Sequence, residues 1–217
     1  MGKEKAIVLL SGGLDSSVNF YQSLIDYDVV LALTFNYGQK AFIKEKQAAY
    51  KLCQMKSVAN KVVNLPWLKE ISTGSALTNS SKKIPTESVD INSLSSSKQS
   101  AKSVWVSNRN GLFINIAASF AEELNAKKII VGFNKEEAAT FPDNSKSFIK
   151  AANSSLSYST QNSVEIESFT IDMNKKQIVQ LGKSLNLDFN LIWPCYFAGV
   201  DLCKNRESCK RYLAALS

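Results

Sequence analysis

Ser11-Gly12-Gly13-Leu14-Asp15-Ser16-Ser17 stands directly behind the apolar run Ala6-Ile7-Val8-Leu9-Leu10. That run reads as a strand buried on both faces. Gly12 and Gly13 let the backbone turn sharply and approach an anion closely. Consecutive amides can form a concave nest there, and the helix that follows presents unpaired N–H groups and its positive dipole end. The hydroxyls of Ser11, Ser16 and Ser17 add donors for phosphate oxygens. A glycine turn with serine capping is the plain alternative. The complete order of strand, Ser-Gly-Gly, Asp-Ser-Ser and helix favours phosphate binding.

Two other nucleotide motifs fail. No Gly-x-Gly-x-x-Gly follows a strand, and Gly182-Lys183-Ser184 lacks the Walker glycine because Gln177 stands in its place. The sequence contains no histidine, which removes histidine triads, histidine general bases and histidine-ligated metals. Chemistry must therefore rest on carboxylates, Lys, Arg, Tyr, Cys, backbone amides or a reactive cofactor. Of four cysteines, Cys53 lies in a helical pattern and reads as an inert core residue. Cys195, Cys203 and Cys209 crowd into the tail and read as metal ligands or redox groups before disulfides.

The elements that must position these groups alternate. A helix is expected from Leu14 or Asp15 to about Ile25, a strand over Val29–Phe35, a helix near Lys40–Met55 and a strand near Lys61–Leu65. A helix near Gly111–Asn125, a strand at Lys128–Val131 and a helix near Asn174–Leu185 follow. Such alternation predicts an α/β fold with a parallel, Rossmann-like sheet between helices. Residues 79–103, rich in Ser and Lys, are expected to form a long mobile loop. Residues 1–189 are read as one domain and 190–217 as a small C-terminal appendage bearing the cysteines.

A net charge of +7 suits anionic partners, although scattered solubilising lysines explain it equally well. No arginine-rich stripe marks a nucleic-acid groove. The longest apolar runs are strand-sized, far short of the roughly 18 residues that span a bilayer, and the N-terminus carries no apolar signal core. A cytoplasmic location without a membrane partner is expected.

Ser-Gly-Gly-x-Asp-Ser after a first strand resembles the ATP pyrophosphatase (PP-loop) superfamily. The resemblance implies cleavage of ATP to AMP and pyrophosphate, with Leu10, Ser11, Gly12, Gly13, Leu14, Asp15, Ser16, Ser17 and Val18 around the nucleotide. Further segments resemble the 7-cyano-7-deazaguanine synthases of queuosine biosynthesis. They are Phe35-Asn36-Tyr37-Gly38-Gln39-Lys40, Gly74-Ser75-Ala76-Leu77-Thr78 and Asn108-Arg109-Asn110-Gly111, then Val131-Gly132-Phe133-Asn134-Lys135-Glu136-Glu137, Phe141-Pro142-Asp143-Asn144 and Trp193-Pro194-Cys195-Tyr196. That resemblance implies an ATP-dependent ligase joining 7-carboxy-7-deazaguanine and ammonia into the nitrile, acting as a homodimer with magnesium and zinc.

Each segment has a chemical reading beside a bland one. Gln39, after Tyr37, could read a purine-like edge, or the segment is a plain turn. Arg109 and Asn110 open a helix, where the guanidinium could hold a carboxylate or phosphate, or lie on the surface. Glu136, Glu137 and Asp143 could carry magnesium or bond a guanine-like ring, or form a solvated acidic loop. Lys175 resembles the lysine that opens the family's late helix and could contact phosphate, or be solvated. Arg109, Asp143 and Lys175 are the candidate catalytic residues; Tyr37, Gln39, Asn110 and Glu136 are the candidate substrate contacts.

The tail departs from the family pattern. Pro194 replaces a serine, and Arg206 stands where a third cysteine of Cys-x-x-Cys-x-x-Cys is expected. Zinc would then have Cys195, Cys203 and Cys209, with Asp201, Glu207, water or another chain as fourth ligand; packing without metal is the alternative. Two other functions stay open: a PP-loop enzyme acting on tRNA, and a non-catalytic nucleotide-binding module.

Overall fold

β1 (Lys5–Leu9) runs into the Ser-Gly-Gly turn, and α1 (Leu14–Asp26) leaves it. β2 (Asp28–Asn36), β3 (Asn60–Asn64), β4 (Lys128–Ile130) and β5 (Glu165–Glu167) add in parallel, in the order β3-β2-β1-β4-β5. The computed structural model describes residues 2–84, 94–204 and 207–216, without the side chains of residues 94–98 and 207. Strand order reverses at β1, so the crevice outside the carboxyl ends of β1 and β4 is a topological switch point, where such sheets take ligands.

Alternation along β1 divides the core between two faces. Ile7 joins Leu33, Phe35 and Ile129 under α5 (Arg109–Glu123) and α7 (Lys146–Ser159), which contribute Ile114, Ala117, Ala121 and Leu156. Ala6 and Val8 join Ala32 and Ile130 under α1, α2 (Phe42–Met55) and α8 (Lys175–Ser184). Each fully buried Ile or Leu contributes about 1.5–3 kcal/mol. Together these layers give the expected parallel α/β architecture. Cys53 is buried in this core, and burial pushes its thiol up to about 12, so it is inert.

Two local signals place later residues. Asn174 caps α8 reciprocally with Gln177, their side chains bonding each other's amides at 2.9 Å. Lys175 is thereby fixed as the first helical residue. Gly182 sits inside α8, where an added Cβ would lie 2.9 Å from Phe189 and 3.1 Å from Val18. Gly182-Lys183-Ser184 is a packing site rather than a phosphate loop.

The expected loop over 79–103 is corrected in part: Leu94–Val104 is a helix, α4. Ala101 and Val104 bury its last turns; small apolar residues among Ser and Lys left no readable period. Residues 85–93 of that expectation lie outside the described residues. A short helix α3 (Pro66–Ile71) precedes it. Glu136 and Glu137, expected in a loop, lie in a one-turn helix α6 (Lys135–Ala138), because Asn134 accepts both their amides. Asp143 lies in the 3-10 turn Pro142–Asn144. The chain closes with α9 (Glu207–Leu216), whose Tyr212 and Ala215 join the same core as α1 and α8.

Candidate active site

The turn after β1 is built for close approach. Gly12 has φ +76°, and an added Cβ would lie 2.7 Å from Ala48 and 2.9 Å from the carbonyl of Glu45. Gly13 is the N-cap of α1 but supplies no side-chain cap, so the first-turn amides stay available to an anion. Ser11 Oγ and Ser16 Oγ lie 3.0 Å apart beside the turn. Gly132, beyond β4, touches the same helix start: a Cβ there would sit 2.7 Å from the amide nitrogen of Ser16. From the tail, the amide of Trp193 donates to the carbonyl of Gly12 at 2.7 Å.

Lys175 faces this turn. Its Nζ donates to Asp15 Oδ2 at 2.6 Å and to Glu137 Oε1 at 2.8 Å. Burial disfavours the ammonium, but the two carboxylates outweigh it and hold Lys175 protonated. Burial likewise pushes Asp15 up against the pull of Lys175, and Asp15 Oδ1 has no partner among the described residues. Burial of Glu137 is outweighed by Lys175, which holds that carboxyl below its usual range. Glu136 is engaged on both oxygens: Oε1 accepts the amide of Lys175 at 2.7 Å, and Oε2 accepts Arg211 at 2.8 Å.

A cavity of about 290 Å³ extends from this charged end toward β2. Its far wall carries Phe35, Tyr37 and Phe113, with Phe35 and Phe113 stacked at 4.0 Å between centroids. Arg109 donates to the Tyr37 hydroxyl at 3.3 Å. Asn110 lines the cavity and donates to the carbonyl of Asp143 at 3.3 Å. Gln39 is engaged at both ends: its amide donates to the Phe35 carbonyl and to Glu45 Oε2, both at 2.8 Å, and its Oε1 accepts the Tyr37 amide at 3.0 Å.

Cys195, Cys203 and Cys209 converge, with Cys203 Sγ 3.4 Å from each of the others. All three sulfurs lie within 4.8 Å of one another. A tetrahedral zinc with bonds of about 2.3 Å sets sulfurs about 3.8 Å apart, so the donor set suits such an ion. Among the described residues no carboxylate joins the group. Arg206 and the side chain of Glu207 lie outside the described residues. Cys195 lines the cavity's rim, beside Trp193 and Tyr196.

The fold thus brings Leu10, Ser11, Gly13, Leu14, Asp15, Ser16, Tyr37, Gln39, Arg109, Asn110, Glu136, Lys175 and Cys195 to one cavity. Val18 and Ser17 are fully buried beneath it, and Asp143 stands behind Asn110. Two charged lining residues are not among the candidates drawn from the sequence, Glu45 and Arg211. Glu45 sits among lysines in a helix that reads as solvated, and Arg211 follows the tail's last cysteine. No local signal singles out either.

The family model described as "QueC: Queuosine biosynthesis protein QueC" matches residues 5–217. A 7-cyano-7-deazaguanine synthase of Bdellovibrio bacteriovorus is 49% identical over 96% of this chain and 90% of its own length. That of Pelotomaculum thermopropionicum is also 49% identical, over 97% of this chain and 96% of its own. Among solved structures, the NMN synthetase of Francisella tularensis has a TM-score of 0.50 at 16% identity, covering 94% of this chain and 71% of that one. A 4-thiouridine synthetase, solved in complex with RNA and ATP, has a TM-score of 0.51 at 17% identity, covering 98% and 50%. At these identities the two structures show a shared fold and nothing about substrate.

Proposed function

The chain belongs to the family of the queuosine biosynthesis protein QueC, and from that premise we propose that it is an ATP-dependent ligase converting 7-carboxy-7-deazaguanine and ammonia into 7-cyano-7-deazaguanine. One observation carries the reading: a single cavity joins an anion-cradling turn and Lys175 at one end to Arg109 and an aromatic wall at the other. ATP phosphates and an aromatic carboxylate need those two ends within reach of each other.

In the proposed reaction a carboxylate oxygen attacks the α-phosphorus of ATP, and pyrophosphate leaves. Ammonia adds to the acyl adenylate and displaces AMP, giving the amide. A second ATP then adenylates the amide oxygen as pyrophosphate leaves, and loss of AMP with both N–H protons leaves the nitrile. The amides after Gly13 and the Ser11 and Ser16 hydroxyls hold the departing pyrophosphate. Lys175 offsets its charge from a water-poor site. Arg109 orients the substrate carboxylate, so the protein supplies position and charge while ATP supplies the leaving group.

Magnesium would be held by Asp15 and Glu137, whose charges already converge on one ammonium; it would neutralise phosphate oxygens. Zinc would be held by Cys195, Cys203 and Cys209, in a structural role and with a fourth position supplied from outside the trio. We take residues 1–189 as the PP-loop domain and 190–217 as its cysteine appendage. A homodimer in the cytoplasm, without a nucleic-acid partner, completes the reading. No helix among the described residues is long and apolar enough to cross a membrane.

The test is pyrophosphate release from ATP and magnesium, with and without 7-carboxy-7-deazaguanine and ammonium, with products identified by mass spectrometry. Substrate-dependent pyrophosphate with a nitrile product is expected. Folded, metal-supplied protein that binds ATP but releases none would overturn the proposal.

A further inference from the structure

We propose that Glu45 selects the substrate, accepting hydrogen bonds from a ring N–H and the adjacent exocyclic amine of a guanine-like base. The inference rests on the ligase reading above and names the residue that reads the base within it.

Glu45 lines the cavity on the β2 side. Its Oε2 is fixed by Gln39 at 2.8 Å. Its Oε1 takes no hydrogen bond among the described residues, yet it is not sealed away in the core. A carboxylate held on one oxygen, with the other facing a cavity, is an acceptor waiting for a donor. Gln39 has no spare N–H to offer a base, because the Phe35 carbonyl and Glu45 take both, and its Oε1 already accepts the Tyr37 amide; it is a positioning residue for Glu45.

The other acidic groups of the cavity are committed elsewhere. Glu136 is bound on both oxygens, and Asp15 and Glu137 share Lys175 at the phosphate end. Glu45 instead lies beside the aromatic wall of Tyr37 and near Arg109, the end suited to a flat, carboxylate-bearing ring. A carboxylate presents two coplanar acceptors, which match the paired donors of a guanine edge. Adenine offers a donor beside a lone pair on its corresponding edge and matches poorly. The geometry therefore favours the guanine-like substrate over ATP as the partner of Glu45.

The experiment compares 7-carboxy-7-deazaguanine with its analogue lacking the exocyclic amine, in the wild type and in Glu45→Gln. Steady-state kinetics yield kcat/KM for each compound and KM for ATP. The wild type is expected to prefer the parent compound at least tenfold. In Glu45→Gln the preference should fall to within about threefold, through KM for the substrate, with KM for ATP unchanged; a charge-assisted hydrogen bond is of that size. Glu45→Asp should restore part of the preference.

A wild type that accepts both compounds equally would overturn the inference without recourse to any variant. A rise in KM for ATP alone would also overturn it, by assigning Glu45 to adenine. Nitrile formation with unchanged discrimination sinks this inference alone. A wild type that makes no nitrile from either compound sinks the ligase reading and this inference with it.

Discussion

Arg211 donates to Glu136 Oε2 at 2.8 Å across the cavity rim. The other oxygen of Glu136 accepts the amide of Lys175 at 2.7 Å, so the helix that carries Cys209 braces the lysine facing the Ser-Gly-Gly turn. Trp193 adds a second brace, from the start of the tail to the carbonyl of Gly12. The cysteine tail is thus mechanically part of the candidate site.

Arg211→Met should raise KM for ATP about tenfold or more, the size of one charge-assisted hydrogen bond. Zinc content should stay unchanged. Pyrophosphate kinetics and metal analysis on the same preparation check both halves.

Lys175→Met should lower kcat by about 10²- to 10³-fold, because it removes a fixed positive charge aimed at developing negative charge. It also leaves Asp15 and Glu137 facing each other unpaired. A stability loss of about 3 kcal/mol is expected, as for a buried pair with one partner removed. Single-turnover kinetics and urea unfolding separate the two effects.

Gly132→Ala places a methyl group 2.7 Å from the backbone nitrogen of Ser16. The start of α1 must shift, at a cost of about 1–3 kcal/mol. ATP binding, measured by calorimetry, should weaken while the far-ultraviolet circular dichroism stays that of the wild type.

Metal analysis should find about one zinc per chain, and none in Cys203→Ala, since two thiols do not make a structural site. Chelation should lower the melting temperature of the wild type by several degrees, with zinc restoring it. The chelator should leave Cys203→Ala unmoved.

The carboxyl of Glu45 is pushed up to about 7, chiefly by burial, against the opposing Gln39 hydrogen bond and the charge of Arg109. A folded value above the unfolded one means that the folded state holds the proton more tightly. Its contribution is complete below about pH 4.5 and is lost as pH rises through 7. The melting temperature of the wild type, relative to Glu45→Gln, should therefore fall between pH 5 and 8. An offset between the two proteins that stays flat over this window would contradict the assignment.

The stretch from Ala6 to Ser17 was legible in the sequence because every cue in it is local. β-Branched residues mark a buried strand, two glycines mark a tight turn, and the helix after them needs no distant partner to expose its amides. The capping pair Asn174 and Gln177 fixed Lys175 at a helix start by the same kind of short-range chemistry. α4 was missed because its buried face consists of small residues whose partners lie elsewhere in the chain.

Residue types and spacing by themselves therefore determined the alternating elements, the glycine turn after β1 and the excluded histidine chemistry. Only the tertiary structure decided which charges meet. Glu45 looks solvated in its helix until Gln39 bonds it from beyond the end of β2 and Arg109 brings its charge near. Likewise Glu136 looks like a free ligand until Arg211 arrives from α9. Burial and pairing set what a carboxylate can do, and both depend on chain segments far apart in sequence.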